Sequence, residues 1–144
     1  MDVKAILKGK GDKVVTIAPD ATVGEAAQVL KREGIGALVV GDAGGNIQGI
    51  VSERDIVAAL GDAARRDGLL EAQVSALMTR DVVSCSPADE VKKCMQLMTD
   101  HHIRHLPVMD GGAMIGLVSI GDIVKSRLQE LENEAGFLRN IIAS

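Results

Sequence analysis

The sequence is internally duplicated, and this constrains the fold more than any other feature of its 144 residues. Residues 82–87 match residues 14–19, and residues 103–108 match residues 35–40, so both segments recur at an offset of 68 positions. After a one-residue deletion in a glycine-rich turn, Gly116 to Val124 matches Gly49 to Val57. The period is too long for the common solenoid units, and the deletion falls in a loop, where length changes are tolerated. The sequence therefore predicts an α/β (α+β) fold with two pseudo-symmetric β-α-β-β-α repeats.

Start and stop signals divide each repeat into elements. Thr22-x-x-Glu25 is a capping box that predicts a helix start, and Gly34 predicts the end of that helix. The other patterns of the first repeat predict a leading helix over residues 2–8, strands over 14–17, 37–40 and 47–51 around a turn at 42–46, a helix opened by Asp55, a charged connector over 61–74 and a short helical turn over 75–78.

The C-terminal stretch carries a pattern that the duplication does not explain. Its apolar residues are spaced 4, 3, 4, 3 and 4 apart, like a heptad seam: Val124, Leu128, Leu131, Ala135, Leu138 and Ile142. Two interpretations stay open, namely a long helix that packs on its own module or on the leading helix, and a dimer contact. We assign residues 1–68 to the first repeat with its leading helix, 69–128 to the second repeat and 129–144 to a C-terminal helical extension.

Composition excludes several classes of function. The net charge is −4, no basic block occurs and Phe137 is the sole aromatic residue, which argues against a nucleic-acid partner. No apolar run approaches the roughly 18 residues of a membrane span, and the N-terminal apolar segment is too short for a secretory signal. We therefore expect a cytoplasmic protein with no membrane partner. Cys85 and Cys94 lie at core positions of the repeat and are predicted to be buried, reduced thiols.

The segment that we expect to carry function is Ser-x-x-Asp, which occurs as Ser52 with Asp55 and as Ser119 with Asp122. In each copy an apolar strand ends in Ser, and Asp opens a helix three residues later. This pattern is typical of ordinary helix capping. It is also typical of an anion site, because a helix N-terminus presents free N–H groups and positive dipole. Its recurrence inside the longer duplication favours a ligand-binding role beside capping.

These segments resemble a known family. Val-Val-Thr-Ile-Ala-Pro…Ile-Gly-Ala-Leu-Val-Val…Gly-Ile-Val-Ser-Glu-Arg-Asp-Ile-Val resembles a cystathionine-β-synthase (CBS) domain, and Ile-Arg-His-Leu-Pro-Val…Gly-Leu-Val-Ser-Ile-Gly-Asp-Ile-Val resembles a second one. The resemblance covers roughly residues 12–128 and implies a stand-alone CBS pair, whose repeats pack sheet to sheet and bind adenosyl ligands in two clefts between them. It further implies that Asp holds the ribose diol, that Ser lies near ribose or phosphate, and that apolar segments sandwich the adenine.

The resemblance assigns residues to both clefts. One cleft would use Ser119 and Asp122, with Arg104 and His105 near phosphate and Ala18, Ile35 and Ala37 at its base. The other would use Ser52, Asp55 and the phosphate candidate Arg54, with Ser86, Ile103 and His105; Gly36 and Leu117, which flank these positions, complete the predicted set. Arg104-His105 aligns with Gly36-Ala37, and Arg54 with Gly121, so we expect unequal affinities.

Two other kinds of site are weaker interpretations. His101, His102 and His105 suggest a metal, but the repeat alignment ends the helix near His102 and would spoil the shared face, so no metal site is predicted. A catalytic role needs a nucleophile with a base or a carboxylate pair, which the sequence does not offer, and we expect no enzyme activity.

The resulting hypothesis is a homodimeric sensor that binds an adenine nucleotide and regulates an unknown protein target in trans. AMP is the first choice of ligand, with ADP, ATP, NAD(H) and S-adenosylmethionine as alternatives, and no further cofactor is expected. The competing hypothesis is a constitutive dimerisation scaffold with vestigial clefts, which the heptad-like tail and the missing effector domain favour.

Overall fold

The computed structural model describes residues 1–11, 13–42 and 46–143. Contacts divide the chain into two compact units. The first module is Val14–Val82, and the second module combines Met1–Lys13 with Val83–Ser144. In chain order the main elements are α1 (Val3–Lys10), β1 (Thr16–Ile17), α2 (Val23–Glu33), β2 (Ala37–Gly41), β3 (Ile47–Ser52), α3 (Glu53–Leu60), α4 (Ala63–Arg66), α5 (Val91–His101), β4 (His105–Asp110), β5 (Ala113–Ser119) and α6 (Ile120–Ala143), with 3₁₀ turns at Leu69–Glu71 and Val74–Ala76.

The first module is built on a three-stranded sheet of order β1-β2-β3. Strand β1 runs parallel to β2, and β2 runs antiparallel to β3 with Ala37 opposite Ser52. The predicted capping box begins α2: Thr22 Oγ1 accepts from the Glu25 N–H at 3.1 Å, and the Glu25 carboxylate accepts from the Thr22 N–H at 3.3 Å. The apolar stripe of α2 packs into an aliphatic core together with the sheet and the residues after α4, namely Val23, Ala26, Leu30, Leu38, Val40, Val51, Ile56, Ala59, Leu69, Val74 and Met78.

The second module repeats this plan with a shorter sheet. Strands β4 and β5 form an antiparallel hairpin, and Cys85 makes a single parallel bridge to Val108 in the place that β1 occupies in the first module. Cys85 and Cys94 both lie in the apolar core, and neither forms a disulfide. The burial of both thiols predicted from the sequence is therefore confirmed.

Each module is completed by the segment that precedes the other repeat. The N-cap of α2, Thr22, bridges to Gln73, while the N-cap of α5, Glu90, bridges to Asp2. By its position in the sequence α1 is grouped with the first repeat, whereas in the structure α1 contacts β5 and α6 of the second. The predicted connector is also more than a linker, since Leu69 and Val74 are buried in the first module's core.

Several element boundaries differ from their predictions. The leading helix runs to Lys10, two residues beyond its expected end, and β1 keeps only two of the four residues predicted. Helix α3 begins at Glu53 and α6 at Ile120, so each Asp of Ser-x-x-Asp lies in the first turn and does not open its helix. Of the turn predicted over 42–46, residues 43–45 lie outside the described residues.

Helix α6 continues from β5 for 24 residues without a break. Ile123 and Ser126 are the buried positions among its described residues, and it packs on α5 and, less extensively, on α1. The first of the two interpretations left open is therefore correct for the helix, which packs on its own module and on the leading helix, while its apolar seam is exposed. Among the described residues, no helix combines the length and the apolar character that a membrane crossing requires.

Candidate functional site

The first Ser-x-x-Asp turn lies where β3 passes into α3. The Ser52 Oγ accepts from the Asp55 N–H at 3.3 Å and donates to Asp55 Oδ2 at 3.0 Å, while the Ser52 N–H donates to the same Oδ2 at 2.8 Å. This is a reciprocal capping box, so the motif does cap α3, as the capping interpretation predicts. Within the described ranges no hydrogen bond ends on Asp55 Oδ1, which leaves that oxygen able to accept from a ligand.

The second turn, between β5 and α6, repeats two of these three hydrogen bonds. The Ser119 N–H donates to Asp122 Oδ2 at 2.9 Å, and the Asp122 N–H donates to Ser119 Oγ at 3.2 Å. Both serines and both aspartates are half-buried. Each turn therefore presents an oriented carboxylate beside a helix N-terminus at the end of a buried strand, an arrangement that suits a ligand with hydroxyl groups to donate.

The second turn contains a cation that the sequence analysis missed. Lys10, in the last turn of α1, places its Nζ 2.7 Å from Asp122 Oδ2 and 3.0 Å from the Leu117 carbonyl oxygen. The first turn has no such partner in the part of the chain that the structure describes. Lys10 and Asp122 are 112 positions apart, and no local sequence signal links them.

The surroundings of Asp122 keep it ionised. Burial raises the pKa of its carboxyl, but hydrogen bonds from Lys10 and Ser119 and the charge of Lys10 outweigh burial, so the pKa lies below its ordinary value. An ionised carboxylate is an acceptor-only group that can take both protons of a cis-diol. Asp122 is therefore chemically suited to bind ribose, provided that the ligand competes with Lys10 for it.

The strand that faces each turn brings further predicted residues to it. In the first module Ala37 pairs with Ser52, and the Gly36 carbonyl accepts from the Glu53 N–H at 2.9 Å. In the second module His105 pairs with Ser119, and the Arg104 carbonyl accepts from the Ile120 N–H at 2.8 Å. Equivalent backbone contacts thus hold small residues at one turn and a basic pair at the other.

The remaining predicted residues are distributed over both modules. Ile35 and Ala18 lie in the first module, with Arg54 exposed in the first turn of α3. Ile103 and Ser86 lie in the second module, and the Ser86 N–H donates to Asp89 Oδ2 at 2.9 Å. The clefts expected from the resemblance combine residues of both modules, and that combination stays a prediction.

The histidine cluster takes the form that the repeat alignment predicted. Helix α5 ends at His101, and His102 adopts the left-handed conformation with φ 54°, as Gly34 does with φ 64° at the end of α2. His101 and His102 are exposed. No group of three or more His, Cys, Asp or Glu side chains suitable for a metal occurs within residues 1–11, 13–42 and 46–143.

Comparison with known proteins identifies the surrounding fold. The family model described as CBS domain matches twice, over residues 5–62 and 74–129. The CBS domain-containing protein YhcV of Bacillus subtilis is 34% identical over 129 residues, which cover 90% of this chain and 89% of that protein.

Solved structures agree with this match. The CBS-domain containing protein ATU1752 from Agrobacterium tumefaciens has a TM-score of 0.84 and 42% identity over 88% of this chain and 99% of that one. The CBS domain pair of protein MJ0100, in complex with 5′-methylthioadenosine and S-adenosyl-L-methionine, has a TM-score of 0.76 and 27% identity over 92% of this chain and 98% of its own.

Proposed function

This chain belongs to the CBS domain family, and from that membership we propose that it is a cytoplasmic regulatory sensor that binds an adenine nucleotide and acts in trans on a protein target. The observation that carries the proposal is the duplicated Ser-x-x-Asp turn, with a half-buried carboxylate held at the start of a helix in each module. CBS pairs are regulatory modules, and a structural relative was solved with two adenosyl ligands bound. We propose no catalytic role for the chain.

The ligand class follows from the chemistry of the turn. Asp55 and Asp122 would accept the protons of the ribose 2′- and 3′-hydroxyls, since each carboxylate has an oxygen to which the described residues donate no hydrogen bond. Ser52 and Ser119 would lie near the ribose or the phosphate. AMP remains our first choice, and the exposed Arg54 and Arg104 are the candidates for its phosphate because a guanidinium binds phosphate through two parallel hydrogen bonds.

The two turns would not bind the same ligand equally well. Arg104 and His105 stand beside the second turn, where Gly36 and Ala37 stand beside the first. The other residues that the family resemblance assigns to ligand binding, Ala18, Ile35, Ser86, Ile103 and Leu117, complete the proposal. Regulation then requires a target that binds the liganded and unliganded forms with different affinity, since a ligand shifts an equilibrium only through such a difference.

Calorimetric titration tests the proposal directly. The full chain is titrated with AMP, ADP, ATP, NAD(H) and S-adenosylmethionine, and the same titrations are run on Asp55→Asn and Asp122→Asn. We expect at least one of these ligands to bind, and the substitution at its turn to weaken it about tenfold or more, since a neutral amide lacks the charge-assisted hydrogen bonds that a carboxylate makes to the diol.

Asp62→Asn is the matched control. Asp62 also caps a helix, accepting from the Ala64 N–H at 3.0 Å, but it lies outside both turns. The substitution should leave binding unchanged. Absence of binding to every ligand, or equal binding by the chain that carries both turn substitutions, contradicts the proposal.

A dimerisation scaffold remains the second candidate function, and one observation favours it. The seam residues of α6 are exposed, with Leu128 at 57% and Leu138 at 53% of their full accessibility, so this helix presents an apolar face to a partner. A scaffold would keep its partner when both turn aspartates are substituted, whereas a sensor would lose ligand-dependent control of it.

A further inference from the structure

The exposed seam of α6 lies on the side of the helix that faces away from its own module. Ile123 and Ser126, with the partly buried Glu130, form the inward face. The N-terminal ammonium binds Glu130 at 3.0 Å, and Ser126 Oγ lies 2.7 Å from the Met1 sulfur, so the beginning of the chain covers that face. In heptad terms the inward residues occupy positions c and f, which point opposite to positions a and d.

Positions a and d are apolar for the rest of the helix. Val124, Leu131 and Leu138 fall at d, and Leu128, Ala135 and Ile142 fall at a. Val124 and Leu131, the least exposed large residues among them, are still 42% and 44% accessible. An apolar stripe with strict 3.5-residue spacing fits another helix better than it fits a sheet or a flat surface, because knobs-into-holes packing requires that period on both partners.

The charges beside the seam select the partner. In a parallel, in-register pair, each g residue faces the e residue five positions further along the other helix. Glu134 at g then faces Arg139 of the second copy, and Arg127 at g, which binds Glu130 of its own helix at 2.8 Å, faces Glu132 of the second copy. Each pair joins a basic residue to an acidic one. Because the two-fold axis repeats each pair, the dimer contains four attractive pairs.

The antiparallel alternative places like charges together. In the antiparallel register that gives every seam residue a seam residue of the second copy as its partner, Val124 lies opposite Ile142 and Leu131 lies opposite Ala135. The flanking residues that then approach are Lys125 with Arg139, Glu132 with its own copy, and Glu134 with its own copy. Like charges across a helix interface disfavour that arrangement.

We propose that α6 is a self-association surface whose partner is α6 of a second copy of this chain, parallel and in register. The proposal does not depend on nucleotide binding. The seam spans fewer than three heptads and contains the small Ala135, so the pair dissociates on dilution.

Sedimentation equilibrium of the full chain across a concentration series tests association. We expect a monomer–dimer equilibrium, and we expect Leu131→Glu to weaken it by about a hundredfold or more because two carboxylates would then be buried in the seam. Asn133→Glu adds the same charge at position f of the same helix and should leave the equilibrium unchanged. A monomer at every concentration, or a dimer that is unaffected by Leu131→Glu, overturns the proposal.

Charge reversal tests the pairing. Glu134→Arg alone should weaken the dimer, and Glu134→Arg combined with Arg139→Glu should restore it, because only parallel helices place these positions opposite each other. Failure of the double variant to restore association counts against parallel pairing.

Cross-linking tests the orientation independently. Ile142→Cys should form a disulfide-linked dimer under mild oxidation, since parallel helices bring the two copies of position 142 together. In antiparallel helices those positions are about 27 Å apart along the axis, from 18 residues at 1.5 Å each. Cross-linking that requires a mixture of Ile142→Cys and Val124→Cys chains overturns the parallel arrangement. Leu131→Glu in the Ile142→Cys chain controls for random collision and should abolish the product.

Discussion

At the scale of single residues, Lys10 is the main difference between the two Ser-x-x-Asp turns. Its ammonium neutralises Asp122, whereas Asp55 has no cation on its carboxylate in the described part of the chain. A ligand that takes Asp122 must displace Lys10, and the displaced ammonium then lies close to the ribose. The second turn should consequently favour a ligand with a negative charge near its ribose over a neutral one.

Lys10→Met tests this charge selectivity. In the Asp55→Asn background, which isolates the second turn, the affinity for AMP should fall about tenfold relative to that for 5′-methylthioadenosine, because the Asp122 carboxylate is left without its counter-charge. Calorimetric titration with both ligands gives the ratio. Lys8→Met removes an exposed lysine from the same helix and serves as the control. An unchanged ratio with both ligands still binding would show that Lys10 has a structural role only.

The sequence could identify the turns but not this contact. Ser52, Asp55, Ser119 and Asp122 were found because capping follows local rules and because the duplication repeats them. Lys10 reaches Asp122 through tertiary packing of α1 on the second module, and a single sequence contains no signal for a contact over 112 positions.

At the scale of elements, α2 and α5 end at aligned positions of the two repeats, as the duplication predicts. Both helices end in a left-handed residue whose N–H bonds back to the preceding turn, but α2 uses Gly34 and α5 uses His102. A side chain in that conformation is strained, and glycine is not. The alignment of His102 with Gly34 predicted this break correctly, because the backbone requirement is local.

His102→Gly should therefore stabilise the protein by about 0.5–1 kcal/mol, less than the full cost of the left-handed conformation because glycine also gains freedom in the unfolded chain. Thermal or urea unfolding measures the change. The reciprocal substitution, Gly34→Ala, should destabilise the protein by about 1 kcal/mol, since open space surrounds Gly34 and the backbone conformation alone is at issue. The free energy of unfolding is required to rise in His102→Gly and to fall in Gly34→Ala.

Other elements were beyond sequence reasoning for physical reasons. The predicted connector contributes Leu69 and Val74 to the core, yet its short turns have too little periodicity to indicate burial. The seam of α6 was read from its spacing, but spacing does not say which face is covered. That answer comes from Ile123 and Ser126, which pack on the opposite face.

At the scale of the whole chain, each module contains the segment that precedes the other repeat. The leading helix covers the second module, where the side chain of Leu7 lies against Gly116, and Met78 and Thr79 lie against Gly49 in the first. The duplication predicted two modules and their order of elements. It did not predict this exchange, because contacts at the module ends depend on tertiary packing and not on the repeated pattern.

The central claim is that the Asp of each turn binds a ribose diol, and the most direct measurement compares ligands that differ in one hydroxyl. Calorimetric titration of the full chain with AMP and with 5′-methylthioadenosine, each beside its 2′-deoxy counterpart, isolates that interaction. We predict that loss of the 2′-hydroxyl weakens binding about tenfold or more, because the carboxylate loses a charge-assisted hydrogen bond. Equal affinity of the ribose and 2′-deoxyribose forms, or no binding by either ligand, would contradict the claim.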